Sequence, residues 1–292
     1  EFNALDSNTS TDIILSGGLS DTALSMMSTG GVATSGFTAA TSQDTDVNVT
    51  LTGTDANVTQ LNAIASAAGG TVTASISITA SETLTTLTTD AITITVTDAA
   101  SVSEFNALDS NTSTDIILSG GVVDTATNYS SLTGEATSGL LAIGTQDGDV
   151  SITVSDAANM LQFADVDAAT STDIILSGGL SDTALSMMST GGVATSGFTA
   201  ATSQDTDVNV TLTGTDANVT QLNAIASAAG GTVTASISIT ASETLTTLTT
   251  DAITITVTDA ASVSEFNALD SNTSTDIILS GGLSDTALSM MS

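Results

Sequence analysis

The chain repeats long stretches of its own sequence without a single change. Residues 9–121 recur at 170–282, and residues 1–28 recur at 265–292. Identical stretches of this length are expected to fold in the same way, and neighbouring repeats can bury a shared core that one repeat could not form alone. The repetition therefore predicts an array of similar structural units.

The marker Ser-Thr-Asp-Ile-Ile-Leu-Ser-Gly-Gly divides this array into blocks. It begins at Ser10, Ser113, Ser171 and Ser274. Its spacing predicts one continuous repeat array over residues 1–292. The predicted parts are a partial block at 1–11, a long block at 12–114, a short block at 115–172, a second long block at 173–275 and a partial block at 276–292. Because both ends fall inside a repeat, we expect the natural protein to continue in both directions.

Strand-like and helix-like patterns alternate within each block. In residues 92–96 apolar side chains alternate with threonine, which is typical of a strand with one buried face. Val102, Phe105 and Leu108 then recur at three-residue spacing, which places them on one face of a helix. The same alternation elsewhere predicts strands that start near residues 12, 46, 71, 91 and 115, a short helical turn with Leu84 and Leu87, and helix N-caps at Thr54, Asp98, Asp156 and Asp259.

Strands separated by helical crossovers favour parallel pairing through right-handed connections. The predicted fold is therefore an α/β solenoid of repeated strand–helix rungs with a parallel sheet. Serine and threonine are abundant and are poor helix formers, so a pure right-handed parallel β-solenoid is the alternative. A string of β-sandwich domains fits less well, because sandwiches need hairpin turns about every 8–12 residues.

The charges of this chain are all of one sign. The sequence holds 32 acidic residues and no Lys, Arg, His or Cys, for a formal net charge of −32. Without His, Lys or Cys there is no ordinary general base tuned near neutrality and no thiolate, so we expect neither an enzyme nor a small-molecule substrate. Without Lys or Arg the chain cannot neutralise phosphates, which argues against nucleic acid as a partner. No apolar run is long enough for membrane insertion.

Equivalent carboxylates stacked on successive rungs would repel one another, because they lie within a Debye length of about 8–10 Å. Hard divalent cations with oxygen ligands, Ca²⁺ first among them, are the expected counter-charge. Two kinds of site are predicted: Asp-x-Asp pairs before strands, and the loop between a helix and the next strand. The candidate ligands are Asp44 and Asp46, Asp147 and Asp149, Asp205 and Asp207 for the pairs, and Asp109, Asn111, Asp115, Asp165, Asp167 and Asp173 for the loops.

Two phrases of the repeat resemble those of a known class of proteins. They are Ile-Thr-Val-Thr-Asp-Ala-Ala-Ser-Val-x-x-Phe-Asn-Ala-Leu-Asp at 94–109 and Thr-Asp-Ala-Asn-Val-Thr-Gln-Leu-Asn-Ala-Ile at 54–64. Both resemble repeats of giant secreted and cell-surface proteins of marine cyanobacteria and other aquatic bacteria. That resemblance implies an extracellular location, calcium binding, and a place in surface layers, adhesion or motility.

Two functions follow as expectations. The first is a structural extracellular rod or filament segment, such as a stalk, surface layer or cell-surface fibre, that self-associates into filaments or bundles. The second is an adhesin-type binding module whose outward Thr-x-Thr rows, such as Thr93, Thr95 and Thr97, engage ice, a glycan or a neighbouring rod. Near-identical copies favour the structural role, because a recognition site needs at least one distinctive unit.

Overall fold

A computed structural model describes residues 1–287 and 289–291 of the chain. Helices and strands alternate, and a short 3-10 turn covers Ser289–Met291. The helices are α1 (Phe2–Asp6), α2 (Ala23–Met26), α3 (Ser35–Gln43), α4 (Val58–Ala68), α5 (Val102–Asp109), α6 (Ala126–Tyr129), α7 (Ser138–Gln146), α8 (Met160–Ala169), α9 (Ala184–Met187), α10 (Ser196–Gln204), α11 (Val219–Ala229) and α12 (Val263–Asp270). The strands are β1 (Leu19–Asp21), β2 (Val49–Leu51), β3 (Val72–Ile78), β4 (Ala91–Val96), β5 (Ile116–Leu118), β6 (Val122–Asp124), β7 (Ile152–Val154), β8 (Ile174–Leu176), β9 (Leu180–Asp182), β10 (Val210–Leu212), β11 (Val233–Ile239), β12 (Ala252–Val257) and β13 (Ile277–Leu279).

The strands form three parallel sheets. Two sheets have five strands, in the orders β1-β2-β3-β4-β5 and β13-β12-β11-β10-β9, and the third has the order β6-β7-β8. Within each sheet, strands that follow one another in sequence are hydrogen-bonded neighbours, and crossover segments, most of them helical, join them. The predicted α/β class with parallel pairing is therefore confirmed. The alternative of a pure β-solenoid is wrong, because the segments between most strands form capped helices.

The chain divides into two compact units. The first comprises residues 1–123 and 138–151, and the second comprises residues 124–137 and 152–292. Each unit contains one of the five-stranded sheets, with the same register in both. Ile94 pairs with Ile116 in the first unit, and Ile255 pairs with Ile277 in the second. The long stretches shared by the two units thus pair their strands in the same way.

Small aliphatic side chains fill the core in thin layers. On β3 every second residue from Val72 to Ile78 is buried, while the serines and threonine between them are exposed. On α4 the side chains of Leu61, Ile64 and Ala68 are fully buried at a helical spacing of three or four residues. The buried side chains of the strands and helices therefore follow the spacings that the sequence predicts.

The strand that was expected near residue 12 is missing. Residues 13–15 are not in a strand, whereas the same Ile-Ile-Leu sequence forms β5, β8 and β13. Each of those strands pairs with the strand before it, and no earlier strand lies beside residues 13–15. The first strand is instead Leu19–Asp21, which pairs with β2. The strands predicted near 46, 71, 91 and 115 are confirmed as β2, β3, β4 and β5.

The predicted N-caps are wrong by three residues. In α5 the hydroxyl of Ser101 accepts the backbone N–H of Glu104, whose carboxylate in turn accepts the N–H of Ser101. This reciprocal capping box satisfies two N–H groups, which a lone aspartate cannot do. Asn57, Asn159 and Ser262 hold the same position in α4, α8 and α12, in place of the expected Thr54, Asp156 and Asp259.

The helical turn predicted around Leu84 and Leu87 does not form. The side-chain amide of Asn62 donates to the carbonyl of Thr83 at 2.9 Å, and its oxygen accepts the N–H of Thr85 at 2.8 Å. These two bonds fix the segment to α4 in a non-helical conformation. Leu84 is buried, and Leu87 is left exposed to solvent.

A Gly-Gly turn follows each Ile-Ile-Leu strand that is paired in a sheet. At Gly121 φ is +76°, a conformation that side-chain-bearing residues rarely adopt. At Gly120 an added Cβ would lie 2.0 Å from the carbonyl of Asp98. The turn therefore needs both glycines, one for its conformation and one for the close approach of backbone, and it leads the chain from β5 into β6.

Candidate functional site

Aspartates that join one segment of the repeat to another are the recurring polar feature. One oxygen of Asp44 accepts the backbone N–H of Leu15 at 2.6 Å. The equivalent Asp147 accepts from Leu118 at 2.6 Å, and Asp205 accepts from Leu176 at 2.7 Å. Each bond spans 29 residues of sequence. The first aspartate of every predicted Asp-x-Asp pair is therefore anchored to the Ile-Ile-Leu segment at the start of its own block.

A second group of aspartates is buried within the sheets. Asp90 is only 1% exposed, and its two oxygens accept the N–H groups of Val72 at 2.8 Å and Leu87 at 2.7 Å. Asp251 makes the same two bonds to Val233 and Leu248. A carboxylate without a basic partner tolerates burial only when hydrogen bonds replace water, and here both oxygens are engaged.

The aspartates that were expected to cap helices form a third group. Asp98 accepts the N–H of Ala80 at 2.7 Å, and Asp259 accepts that of Ala241 at 2.7 Å. Asp156 accepts the N–H of Ala126 at 2.6 Å. Their role is therefore to join segments 18 or 30 residues apart, and the caps of the helices lie three residues further on.

The candidate ligands in the helix-to-strand loop are mostly engaged by protein groups. The side-chain amide of Gln146 donates to Asp109 at 2.6 Å, while its oxygen accepts the N–H of Ile116. Asn111 turns back to donate to the carbonyl of Ala107 at 2.6 Å. In the second unit Gln204 donates in the same way to Asp167, and Ser130 donates to Asp165. Asp115 and Asp173 are exposed.

The Asp-x-Asp pairs bring two carboxylates close enough to affect one another. The N–H of Leu15, with a hydrogen bond from Asp46, holds the pKa of Asp44 below its ordinary value. At Asp147 burial raises the pKa, and the negative charge of Asp149 adds to the rise. The neighbouring negative charge at Asp147 thus favours a bound proton or cation, whereas the lowered pKa of Asp44 keeps that carboxylate ionised.

Among the described residues, no group of three or more acidic side chains is arranged to hold a metal ion. The pairs supply two carboxylates each, and the second members Asp46, Asp149 and Asp207 are exposed. A carboxylate oxygen that accepts one N–H keeps a lone pair for another partner. A hard cation at these pairs would thus complete its shell with water or backbone carbonyls.

The outward faces of the sheets carry hydroxyl groups and no charge on their central strands. Ser75 lies beside Thr93, and Ser77 lies beside Thr95, on the adjacent strands β3 and β4. The strands β11 and β12 repeat this arrangement. Ile117 on β5 lies beside Thr95, continues the row of Ser77 and Thr95, and is 47% exposed. In a chain with 32 acidic residues, this face combines hydroxyls with methyl groups.

The short block differs from the long ones in its buried residues. Tyr129 is fully buried, and its hydroxyl donates to the carbonyl of Thr153 at 3.1 Å. Burial raises the pKa of Tyr129, so the phenol stays protonated and serves as a structural donor. In the sequence, this block differs from the long block because Tyr129 and Ser130 stand at the positions equivalent to Met26 and Met27.

Within the described part of the chain, no helix has both the length and the apolar character to cross a membrane. Comparison with protein-family models, with curated proteins and with solved structures finds no match.

Proposed function

We propose that the chain is a structural segment of an extracellular rod or filament, built as an α/β solenoid. The observation that carries the proposal is the recurrence of the same contacts in each copy, such as Asp44 to Leu15, Asp147 to Leu118 and Asp205 to Leu176. A chain that repeats one interface can be extended without a change of cross-section. The aspartate bonds described above join segments within each copy, and Gln146 and Gln204 join neighbouring blocks through Asp109 and Asp167. A structural role explains why these bonds recur from copy to copy.

We further propose that divalent cations, with Ca²⁺ as the first choice, stabilise this rod. The supporting observation is the absence of any basic side chain to offset a net charge of −32. The paired carboxylates Asp44 and Asp46, Asp147 and Asp149, and Asp205 and Asp207 are the proposed sites, because the first member of each is already fixed by a backbone N–H. Hard cations prefer such oxygen ligands.

X-ray scattering from a lengthened chain tests the solenoid. Because residues 265–292 repeat residues 1–28, a further 264-residue period can be joined to the chain without a new junction. We expect the longer protein to keep the same cross-section and to lengthen by about 4.8 Å for each added strand. An increase of the cross-section, or a particle with compact lobes on flexible joints, would exclude the rod.

A second candidate is a binding module that uses the outward sheet face. The aligned hydroxyls of Ser75 with Thr93 and of Ser77 with Thr95 favour it. A regular array of hydroxyl and methyl groups suits an ordered lattice of water such as ice. A glycan is disfavoured as the ligand, because sugar rings usually stack on aromatic side chains. Such side chains are scarce among the described residues, and Tyr129 and Phe105 are buried. Thermal hysteresis and inhibition of ice recrystallisation are the tests, and the lack of both would dismiss this function.

A further inference from the structure

Eight Asn-x-Ser/Thr sequons occur in the chain, and this tripeptide is the acceptor of N-linked oligosaccharides. Because the blocks repeat, the eight represent only four different sequences. A folded sequon can accept a sugar only when its asparagine nitrogen and its hydroxyl are both accessible, and the structure separates the four sequences by this requirement. The sequons begin at Asn8, Asn48, Asn57, Asn111, Asn128, Asn209, Asn218 and Asn272.

The sequon at Asn111 uses both its nitrogen and its hydroxyl within the fold. The side-chain amide of Asn111 donates to the carbonyl of Ala107 at 2.6 Å and to a neighbouring serine hydroxyl at 3.2 Å, so both of its hydrogens are engaged. The hydroxyl of Ser113 donates to the carbonyl of Asp90 at 2.9 Å. The same two amide bonds recur in the copies at Asn8 and Asn272.

The sequons at Asn128 and Asn57 are engaged in other ways. The side-chain amide of Asn128 donates to Asp124 at 2.6 Å, and Ser130 at the third position of this sequon is buried. The side-chain amide of Asn57 donates to the carbonyl of Thr29 at 3.1 Å, while its oxygen caps α4. A sugar on either nitrogen would compete for space with the group that this nitrogen binds.

The sequon at Asn48 is the exception, and its copy at Asn209 matches it. The oxygen of Asn48 accepts the backbone N–H of Thr71 at 2.8 Å and the hydroxyl of Thr71 at 2.9 Å. The oxygen of Asn209 accepts the same two groups of Thr232. Among the described residues, none accepts a hydrogen bond from the side-chain nitrogen in either copy. Both asparagines are exposed, so these nitrogens are left to solvent.

The hydroxyl of this sequon lies on the same side of the sheet as the asparagine. Val49 is buried in β2, while Asn48 and Thr50 on either side of it are exposed. Because side chains alternate along an extended chain, Asn48 and Thr50 point to the outward face together. Asp46, two residues before Asn48, is also exposed, and its carboxylate offers a basic group of an enzyme a charge-assisted hydrogen bond.

We propose that Asn48 and Asn209 are N-glycosylation sites, which take an oligosaccharide from a lipid-linked donor. The bond that forms joins the side-chain nitrogen to the anomeric carbon of the sugar, and the bond that breaks joins this carbon to the diphosphate of the lipid carrier. The carrier leaves with its diphosphate, and one amide proton passes to a base of the transferase. The inference rests on the proposed extracellular function, because such donors serve exported chains.

The fold keeps its hydrogen bonds when the sugar is attached. A glycosylated asparagine retains its oxygen as an acceptor and loses one of the two hydrogens on its nitrogen. The oxygen is the side-chain atom through which Asn48 binds Thr71, so both of these bonds remain. Since the position recurs in each long block, a longer array would carry sugars at regular intervals.

Transfer to the purified, folded chain tests the proposal. The reagents are a single-subunit oligosaccharyltransferase and a lipid-linked oligosaccharide, and mass spectrometry of the intact chain and of its peptides counts and locates the sugars. We expect two sugars on each chain, at Asn48 and Asn209. A synthetic peptide of residues 44–52 is the positive control for the enzyme.

Substitution of the sequon threonine removes the acceptor without touching the bonds of Asn48. Thr50→Val keeps a β-branched residue at an exposed strand position and should leave one sugar on each chain. Thr50→Val with Thr211→Val should leave none, whereas Thr50→Ser keeps the sequon and should keep both sugars. The matched control is Thr59→Val with Thr220→Val, which removes the sequons that cap α4 and α11 and should leave both sugars in place.

A sugar at any other sequon of the folded chain would overturn the proposal, and so would a folded chain without sugar. Modification of the peptide alone would mean that the fold closes the site, and modification of neither would mean that the sequence is not an acceptor. The transfer does not depend on the shape of the protein. If the scattering of the lengthened chain excluded the rod, the glycosylation sites would therefore still stand or fall by this measurement.

Discussion

The carboxylate of Asp90 accepts the backbone N–H of Val72 at 2.8 Å, eighteen residues earlier in the sequence. Its second oxygen accepts the N–H of Leu87 at 2.7 Å, and the residue is 1% exposed. In a chain without basic side chains, this buried carboxyl group is thus held by two backbone N–H groups. Asp251 repeats the arrangement with Val233 and Leu248.

We expect Asp90→Asn to destabilise the first unit by about 1–3 kcal/mol. The substitution keeps one acceptor oxygen but puts an NH₂ group against a backbone donor, so one buried N–H loses its partner. Asp55→Asn is the matched control, because Asp55 is exposed. Urea unfolding followed by circular dichroism gives both values, and equal midpoints for the two variants would mean that the Asp90 bonds add nothing to stability.

Substitutions at Ser101 and Asp98 separate capping from cross-linking. Ser101→Ala should cost about 1 kcal/mol, because it removes the N-cap hydroxyl of α5. Amide hydrogen exchange should then quicken at Glu104. Asp98→Ala should instead quicken exchange at Ala80, whose N–H the aspartate accepts, and leave Glu104 protected. If the amide of Glu104 lost its protection in Asp98→Ala, Asp98 rather than Ser101 would be the N-cap of α5.

The anchors at Asp44 and Asp147 should respond to pH in different ranges. The pKa of Asp44 is lowered, so its contribution to stability is complete above the ordinary value of about 3.9 and is lost as pH falls below it. The pKa of Asp147 is raised by burial, so its ionised form costs stability, and acidification from its raised pKa down to the ordinary value removes that cost.

Amide chemical shifts of Leu15 and Leu118 report these two titrations separately. We expect the Leu15 N–H to titrate at lower pH than the Leu118 N–H, and Asp44→Asn to abolish the titration at Leu15 only. A common midpoint for both amides would contradict the difference between the two pairs.

Local patterns predict the strands and the helical faces well, and they miss the bonds between segments. The alternation in residues 92–96 and the spacing of Phe105 and Leu108 are properties of neighbouring residues, and both appear in the structure as expected. The bond from Asp90 to Val72 depends on the register of two strands, which no local pattern contains.

The N-caps could have been found from the sequence. Ser101 and Glu104 stand three residues apart before an apolar run, which is the signature of a capping box. Asp98 is also a good N-cap residue. However, the third residue of a helix capped by Asp98 would be Ser101, which is not the Glu or Gln that a capping box needs. The candidate metal ligands are a different case: two residues of an Asp-x-Asp pair are neighbours in any fold, whereas the bond from Asp44 to Leu15 spans 29 residues and has no local signal.

Thermal unfolding in calcium and then in excess chelator tests the central claim most directly. Far-UV circular dichroism of the chain should show helix and strand together, with a midpoint that falls by on the order of ten degrees or more when calcium is removed. Asp46→Asn with Asp149→Asn and Asp207→Asn should abolish this difference, whereas Asp12→Asn with Asp55→Asn and Asp216→Asn should keep it. Coincident midpoints with calcium and with chelator would contradict the account and leave the aspartates as purely internal hydrogen-bond acceptors.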